Sequence, residues 1–186
     1  MKRHFLTGGL FCCAWAVLLN GCAASTAGIP AVSDFKPADY MGTWYEIVRL
    51  PHYFERGMDQ VSAEYTLHKN GSIRVVNRGL RNGKPKQITG KAKLKNPNRK
   101  PLSGELLVSF FGPFYSDYRI IELAPDYSYA VVTGSNKNYL WVLSRTPTLP
   151  RERLKEILNR LQTLGFALEK LEYPKACQPG SWSGTK

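Results

Sequence analysis

Eight short strand-like runs between positions 43 and 145, separated by turn residues, constrain this chain more than any other feature. The runs lie at about 43–50, 60–68, 72–80, 86–95, 104–111, 117–124, 128–134 and 138–145. Two of the intervening turns, Asn70-Gly71 and Asn82-Gly83, are strong hairpin signals because Asn and Gly tolerate positive φ. Short strands at regular spacing predict a sandwich or a barrel. Eight is the number that closes into an up-and-down antiparallel barrel with room for one small ligand.

The second and fourth runs separate apolar from polar residues most clearly. The apolar face of the second run contains Val61, Ala63, Tyr65 and Leu67. The apolar face of the fourth contains Ile88, Gly90, Ala92 and Leu94. Alternation with period two gives each strand one apolar and one wet face. The apolar faces could line a barrel lumen or fill the solid core of a sandwich, and alternation alone leaves both open.

The period changes after Pro150, where the apolar residues fall at helical spacing. They are Leu154, Ile157, Leu158, Leu161 and Leu164. This pattern predicts one helix packed against the outside of the sheet, with Thr148 as N-cap and Gly165 just past the C-terminus. A further strand-like piece, Phe166 to Tyr173, is expected beside it. The predicted fold class is therefore all-β, an eight-stranded barrel with one C-terminal α-helix.

The N-terminus has the pattern of an export signal. Lys2 and Arg3 precede a mostly apolar run that is too short for a comfortable membrane span. The run ends in Leu19-Asn20-Gly21-Cys22, which is similar to a bacterial lipobox and predicts lipidation of Cys22. The alternative is an ordinary signal peptide followed by a chance cysteine. We expect a signal peptide at 1–21, a lipidated tether at 22–35, a folded domain at 36–174 and a flexible tail at 175–186.

Cysteine usage and charge limit the other possibilities. Cys12 and Cys13 leave with the signal and Cys22 is acylated, so Cys177 remains alone and no intrachain disulfide is expected. The formal net charge of +12 is compatible with nucleic acid, an anionic membrane surface, an acidic ligand or a merely solvated basic surface. Nucleic acid is the weakest of these, because the sequence has neither an aromatic RNA-binding motif nor a basic groove-reading helix.

Catalytic signatures are missing from the sequence. Beyond the signal only His52 and His68 are present, and neither has Cys, His, Asp or Glu neighbours at metal-ligand spacing. The sequence contains no nucleophile elbow, P-loop or dinucleotide fingerprint. Glu46 is expected as a lone inward carboxylate, which suits the orientation of a ligand head group better than catalysis. We therefore predict no metal, no cofactor and no enzyme activity.

Three motifs in order resemble the lipocalin family. They are Gly42-x-Trp44 at the first strand, Ser116-Asp117-Tyr118 before the sixth, and Arg145 at the end of the eighth. The resemblance implies that Gly42, Trp44 and Arg145 close the barrel base, with the flat guanidinium of Arg145 covering the indole of Trp44.

Further segments are similar to the bacterial outer-membrane lipocalins, relatives of apolipoprotein D. They are Phe54 to Gly57, Val108 to Tyr115, and Asp126-Tyr127 through Tyr139-Leu140-Trp141. This resemblance implies binding of fatty acids or lysophospholipids. It also implies an outer-membrane anchor, facing the periplasm, because Ala23 and Ala24 follow the cysteine. A homodimer is a further possible partner arrangement.

Tyr139 and Trp141 share a face of the eighth predicted strand with Arg145, so Trp141 is expected to reach into the lumen. Trp141 is the first candidate for ligand contact, and the full predicted set is Trp141, Phe110, Tyr65, Tyr139 and Glu46. The aromatic run from Phe110 to Tyr115 could form a pocket wall, a dimer surface or a membrane-facing lip. Two other functions stay open: an enzyme with paired catalytic groups in the lumen, and a structural envelope lipoprotein without a cavity.

Overall fold

The computed structural model describes residues 24–176. Cys22, Cys177, the predicted signal and most of the predicted tail lie outside the described residues.

Eight antiparallel strands pair in chain order and close into a barrel. They are β1 (Gly42–Arg49), β2 (Met58–Leu67), β3 (Ile73–Arg81), β4 (Lys84–Leu94), β5 (Glu105–Ser109), β6 (Ser116–Leu123), β7 (Tyr129–Thr133) and β8 (Leu140–Ser144). Closure comes from β1, which pairs with β2 on one side and with β8 on the other. The predicted eight-stranded up-and-down barrel is confirmed.

The two ends of the barrel are built differently. The first strand enters at the closed end, which also carries the connections 68–72, 95–104 and 124–128 and the short helix α1 (Pro37–Tyr40). It leaves at the open end, whose connections are 50–57, 82–83, 110–115 and 134–139. The connection 50–57 contains a 3-10 helix, Tyr53–Glu55, which lies across the open end and is called the lid below.

Two apolar cores share the barrel wall. The inner core fills the barrel with residues that include Tyr40, Trp44, Tyr65, Ile73, Val75, Ala92, Leu106, Ile120 and Val132. The outer core lies between the wall and the second helix, α2 (Arg151–Thr163), and includes Val48, Val131, Leu140, Val142, Ile157, Leu161 and Phe166. Strand alternation explains the division, since in β8 Leu140 and Val142 face the helix while Trp141 and Leu143 face the interior.

The C-terminal region departs from prediction in two places. Gly165 ends α2 at φ 76°, and the amides of Gly165 and Phe166 donate to the carbonyls of Gln162 and Leu161, as a Schellman motif requires. Thr148 as N-cap is wrong: the cap position is Pro150, which makes no side-chain capping bond. The expected strand at 166–173 is instead a 3-10 helix, Leu168–Lys170, followed by a single bridge between Glu172 and Arg49.

The segment 24–35, predicted as part of a tether, packs along the barrel wall. It starts at the open end, where the carbonyl of Ala24 accepts from the amide of Lys137 and the amide of Thr26 donates to Ser135. It ends at the closed end, where Phe35 is buried in the inner core. Small and polar composition suggested a free tether, but backbone bonds to the wall and a few buried side chains fix this part of the segment.

The closed end is sealed by Trp44 and Arg145. The indole of Trp44 is buried and donates its N–H to the carbonyl of Tyr40 at 2.8 Å. The guanidinium carbon of Arg145 lies 3.9 Å from the ring centroid of Trp44. Its nitrogens donate to the carbonyls of Thr43 and Asp39, at 3.0 and 2.8 Å. One side chain thus binds β1, α1 and the Trp44 ring.

We expect Trp44→Ala to lower the free energy of unfolding by about 3–5 kcal/mol, because it removes a large buried ring. Arg145→Ala should destabilise as well. Denaturant unfolding of both single variants and the double variant should give a coupling energy of about 0.5–3 kcal/mol, since the two groups are in contact. Strictly additive losses would contradict the stacked arrangement.

Candidate functional site

The lower interior is organised by three buried tyrosines. The hydroxyl of Tyr118 lies 2.7 Å from that of Tyr40 and accepts a hydrogen bond from that of Tyr65 at 3.0 Å. Burial raises the pKa of Tyr65 to about 12 and also raises the pKa values of Tyr40 and Tyr118, so all three stay protonated donors. Hydroxyls that satisfy one another can sit in an apolar interior at low cost. They form the floor of the lumen.

Arg49 is the hub of the upper interior. It donates to the carboxylate of Glu46 at 2.6 Å and to that of Glu172 at 2.8 Å. The same guanidinium donates to the carbonyls of Glu55 and Met58, at 3.2 and 3.1 Å. Arg49 therefore connects strand β1, the lid, the start of β2 and the C-terminal segment.

A β-bulge explains how Glu46 and Arg49 reach each other. In a regular strand two residues three apart point to opposite faces. The pairing of β1 with β8 shifts register between Glu46 and Val48, so the extra residue Ile47 turns Arg49 back to the face of Glu46. The bulge also moves Val48 to the outer core. One extra residue thereby places an ion pair inside the barrel.

The lid is fastened to the wall by Glu55 and Trp141. The carboxylate of Glu55 is buried and accepts a hydrogen bond from the indole N–H of Trp141 at 3.0 Å. A second tie comes from Arg81 on β3, which donates to the carbonyl of Phe54 at 2.7 Å. Together with Arg49, these contacts hold the 3-10 helix over the open end.

His52 lies at the base of the lid within a stack of aromatic rings. Its ring centroid is 4.4 Å from that of Trp141, 5.2 Å from that of Tyr139 and 5.4 Å from that of Phe54. The imidazole Nε2 is buried and has no hydrogen-bond partner. Burial, with the nearby charge of Arg49, lowers the pKa of His52 to about 4, so the neutral ring packs in the stack.

The two buried carboxyls have raised pKa values. Burial, reinforced by the nearby charge of Glu55, raises the pKa of Glu46 to about 8, and Arg49 opposes that rise. Burial also raises the pKa of Glu55. One cation cannot offset three carboxylates, counting Glu172, in a poorly solvated site. The cluster therefore tends to hold a proton near neutral pH.

The five predicted ligand residues do not form one cluster. Trp141 lies in the upper interior and Tyr139 at the mouth, joined through the His52 stack. Tyr65 belongs to the floor. Phe110 packs against the inner core on the far wall, where its ring lies so close to Gly90 that a Cβ there would meet it at 2.7 Å. Glu46 is not the lone inward carboxylate expected, because Arg49 is paired with it at 2.6 Å.

Part of the interior face remains accessible to solvent. On β4, Ile88 shares the inward face of Ala92, which is buried, yet Ile88 is 37% exposed. Val108, Phe110 and Trp141 are partly buried around the inner core. A second opening is a surface cleft of about 490 Å³ beside the lid, lined by residues that include Arg49, Asp59, Asn82 and Tyr173.

Sequence reasoning missed Arg49, Glu55 and His52 as site residues. Arg49 is a charged residue inside an apolar run, Ile47 to Leu50, which signals a buried ion pair. Glu55 lies within a segment that carried the family resemblance, but its partner Trp141 is 86 residues away. That contact had no local signal.

In the range 24–176, no three His, Cys, Asp or Glu side chains come together in a way that could hold a metal ion. Among the helices of the same range, none combines the length and the apolar character that crossing a membrane requires.

A match to a protein-family model identifies the family to which the chain belongs. The model described as a lipocalin-like domain matches residues 36–176, most of the described range. The chain is a lipocalin. This lipocalin is 46% identical over 161 residues to the outer membrane lipoprotein Blc of Vibrio cholerae, with 85% of this chain and 92% of the relative covered.

Other relatives agree. The lipocalin is 41% identical over 170 residues to the outer membrane lipoprotein Blc of Escherichia coli, covering 89% of this chain and 93% of the relative. Mouse apolipoprotein D is 33% identical over 151 residues, covering 76% and 77%. Insecticyanin of the tobacco hornworm Manduca sexta shares the fold, with a TM-score of 0.67 at 21% identity, covering 81% of this chain and 87% of that one.

The cluster around Arg49 should make stability depend on pH. A carboxyl whose folded pKa is raised contributes stability that is complete below its unfolded pKa and is lost as pH rises. For Glu46 that loss runs from about 4.5 to about 8. We expect the free energy of unfolding to fall across this window, and Glu46→Gln to flatten the fall because an amide imitates the protonated carboxyl.

Denaturant unfolding at a series of pH values measures this slope. Asp126→Asn is the matched control, because hydrogen bonds from Ser128 lower the pKa of Asp126 and its contribution is lost toward acid instead. An unchanged slope in Glu46→Gln would contradict the assignment of the proton to this cluster.

Proposed function

We propose that this lipocalin binds an amphipathic lipid with one acyl chain, a fatty acid or a lysophospholipid, and stores or transports it in the bacterial envelope. The observation that carries the proposal is the accessible apolar wall inside a closed barrel, formed by Ile88, Val108, Phe110 and Trp141. Apolar surface exposed within a lumen gains free energy when an acyl chain covers it, at about 0.8 kcal/mol per buried CH₂. Only the surplus over binding costs appears as affinity.

The floor supports a single chain rather than two. Tyr40, Tyr65 and Tyr118 fill the lower interior and satisfy one another, so deeper penetration would break their hydrogen bonds. Trp141 and Phe110, by contrast, are only partly buried where they pack against the inner core. We therefore expect lysophospholipid to bind more tightly than diacyl phospholipid.

Basic groups near the mouth support an anionic head group. Lys86 pairs with Gly79. It shares the inward face of β4 with Ile88 and Gly90 and lies two residues nearer the open end than Ile88. Arg81 lies at the same edge, bound to the carbonyl of Phe54. A phosphate or carboxylate at the mouth would meet both cations while its chain lies on Ile88.

The lid has to move for this ligand to enter. Glu55 reaches from the lid into the interior, where it accepts from Trp141. A ligand on Trp141 would compete for the same space. The lid is held by polar contacts of Arg49, Arg81 and Glu55 and carries few buried apolar side chains, which favours local opening over rearrangement of the barrel.

The relatives' names support the location that we propose. Two of the relatives are outer membrane lipoproteins by name. The sequence Leu19-Asn20-Gly21-Cys22 supports acylation of Cys22 and anchoring in the outer membrane, with the domain facing the periplasm. Several acyl chains give stable attachment where one gives only marginal binding.

Two other functions find less support. A structural lipoprotein without a cavity does not need accessible apolar residues such as Ile88 inside its barrel. A lipid hydrolase could use the carboxyls of Glu46 and Glu55, but each is already bound, to Arg49 and to Trp141 respectively. Carboxyls that already bind these partners are better placed to hold the lid than to transfer a proton to or from a substrate.

Trp141 gives the direct test of ligand binding. We expect Trp141→Ala to weaken lysophospholipid binding about tenfold or more, because it removes the largest apolar surface of the upper lumen. Titration of the detergent-purified protein with a single-chain lipid, followed by native mass spectrometry or fluorescence, measures the change.

Trp141→Phe is the matched control, since it keeps a ring while losing the N–H donated to Glu55. We expect it to bind nearly as well as wild type. Equal affinity in wild type and Trp141→Ala, with both folded by circular dichroism, would place the ligand away from Trp141. Absence of binding in both would move the assignment to the structural lipoprotein.

Cys22 gives the test of anchoring. Cys22→Ser should abolish incorporation of labelled fatty acid and shift the protein from the membrane to the soluble fraction, because the acylated thiol is gone. Cys177→Ser is the matched control and should leave both unchanged. Retention of Cys22→Ser in the membrane fraction would exclude the lipobox.

A further inference from the structure

We propose that the open end of the barrel docks on the anionic surface of the same membrane that holds the lipid anchor, so that the lid and mouth face the bilayer directly. This inference rests on the proposed function, since it uses the anchor at Cys22 and the lumen as a lipid site. It adds an orientation and a docking surface, called the rim below. The rim consists of Tyr53, Phe54, Phe111, Phe114, Tyr115 and Tyr139.

The rim is the main exposed apolar surface of the described chain. Tyr53 is 90% exposed, Phe114 78% and Phe111 72%. These side chains come from three separate connections, and all three lie at the open end. Among the large apolar side chains that are exposed in residues 24–176, Leu67 alone lies at the closed end. Aromatic rings gathered at one end mark an interaction surface, and Tyr and Trp favour the boundary between water and hydrocarbon.

Charge identifies the partner as an anionic surface. Basic side chains surround the rim at the open end: Arg56 and Lys137 on the rim connections, and Arg81, Lys84 and Lys86 at the adjoining ends of β3 and β4. On the adjoining wall, the ammonium groups of Lys91 and Lys93 lie 5.6 and 4.7 Å from the ring centroid of Tyr115. The acidic residues at the open end are already bound: Glu55 by the indole of Trp141, Asp117 by Lys95 and Asp59 by the amide of Lys175. Apolar rings among cations match a bilayer with anionic head groups.

The start of the described chain sets the orientation. Ala24 is hydrogen-bonded to Lys137, in the same connection that carries Tyr139. Only Ala23 separates Ala24 from Cys22, and two residues of chain span at most about 7 Å, so a lipid on Cys22 starts close to the connection 134–139. The packed segment 24–35 prevents the anchor from reaching the closed end, because it is bound along the wall. The anchor, the rim and the mouth therefore meet the same surface.

Site-specific fluorescence on the full chain tests this docking. In a Cys177→Ser background, Ser116→Cys carries a polarity-sensitive dye beside the rim, and Lys69→Cys carries it at the tip of a closed-end hairpin. The acylated protein is reconstituted into vesicles of zwitterionic and anionic phospholipid with brominated acyl chains. We expect a blue shift and bromine quenching at position 116 and neither at position 69, with both weakened in high salt.

Flotation of the vesicles reads the anchor independently. A floating protein whose dye at position 116 stays unquenched overturns the docking and leaves the anchor intact. Equal quenching at 116 and 69 also overturns it, since the domain then has no fixed orientation. A blue shift at 116 without bromine quenching assigns the rim to contact between two copies instead. Failure to float overturns the anchor and the docking together, while lipid binding at Trp141 is measured separately.

A second variant tests the rim itself. Phe111→Ser with Phe114→Ser should slow uptake of a fluorescent single-chain lipid from vesicles about tenfold, because two exposed rings no longer enter the interface. Uptake of the same lipid from water should be unchanged, since neither ring lies in the lumen. Leu67→Ser is the closed-end control. Equal slowing from vesicles and from water would assign the rings to the pocket and overturn their role in docking.

Discussion

Closure of the barrel at β1 is the constraint on which the rest of the structure depends. A sheet that pairs with itself leaves no exposed edge, and each strand then has one face inside and one outside. The first strand pairs with both β2 and β8, so it joins the first and the last strands of the barrel. At its start Trp44 seals the floor under Arg145. At its end Arg49 binds the lid and the C-terminal segment.

Holding the lid with the buried charges of the Arg49 cluster costs free energy of desolvation. Moving charges out of water costs several kcal/mol per ion, and well-packed apolar residues often stabilise as much or more. The cluster brings three carboxyls to one arginine, which is why the pKa of Glu46 rises to about 8. Such a site contributes little net stability. Its value lies in specificity of position, because five polar contacts of one guanidinium fix the lid, β1 and the segment after α2 in a single arrangement.

The sequence was sufficient where alternation is unbroken and insufficient where it is not. β8 carries no bulge against β7, so counting back from Arg145 placed Trp141 on the interior face. β1 has a bulge at Ile47 that residue type alone does not predict. The inward orientation of the Arg49 side chain was therefore missed. The partner of Glu55, Trp141, and two of the rings stacked with His52, Tyr139 and Trp141, are distant in sequence and had no local signal. The segment 24–35 was misjudged because its attachment is by backbone bonds, which residue type does not reveal.

The two ends of β1 differ in how they respond to pH. At the closed end Arg145 donates to backbone carbonyls and stacks on an indole, and none of those acceptors titrates. At the open end Arg49 donates to carboxylates, and Glu55 accepts from Trp141, so proton binding changes the contacts that hold the lid. Opening of the lid, as proposed above, would act only on the titratable end, so a ligand could enter at the mouth while the strand pairing that closes the barrel stays intact.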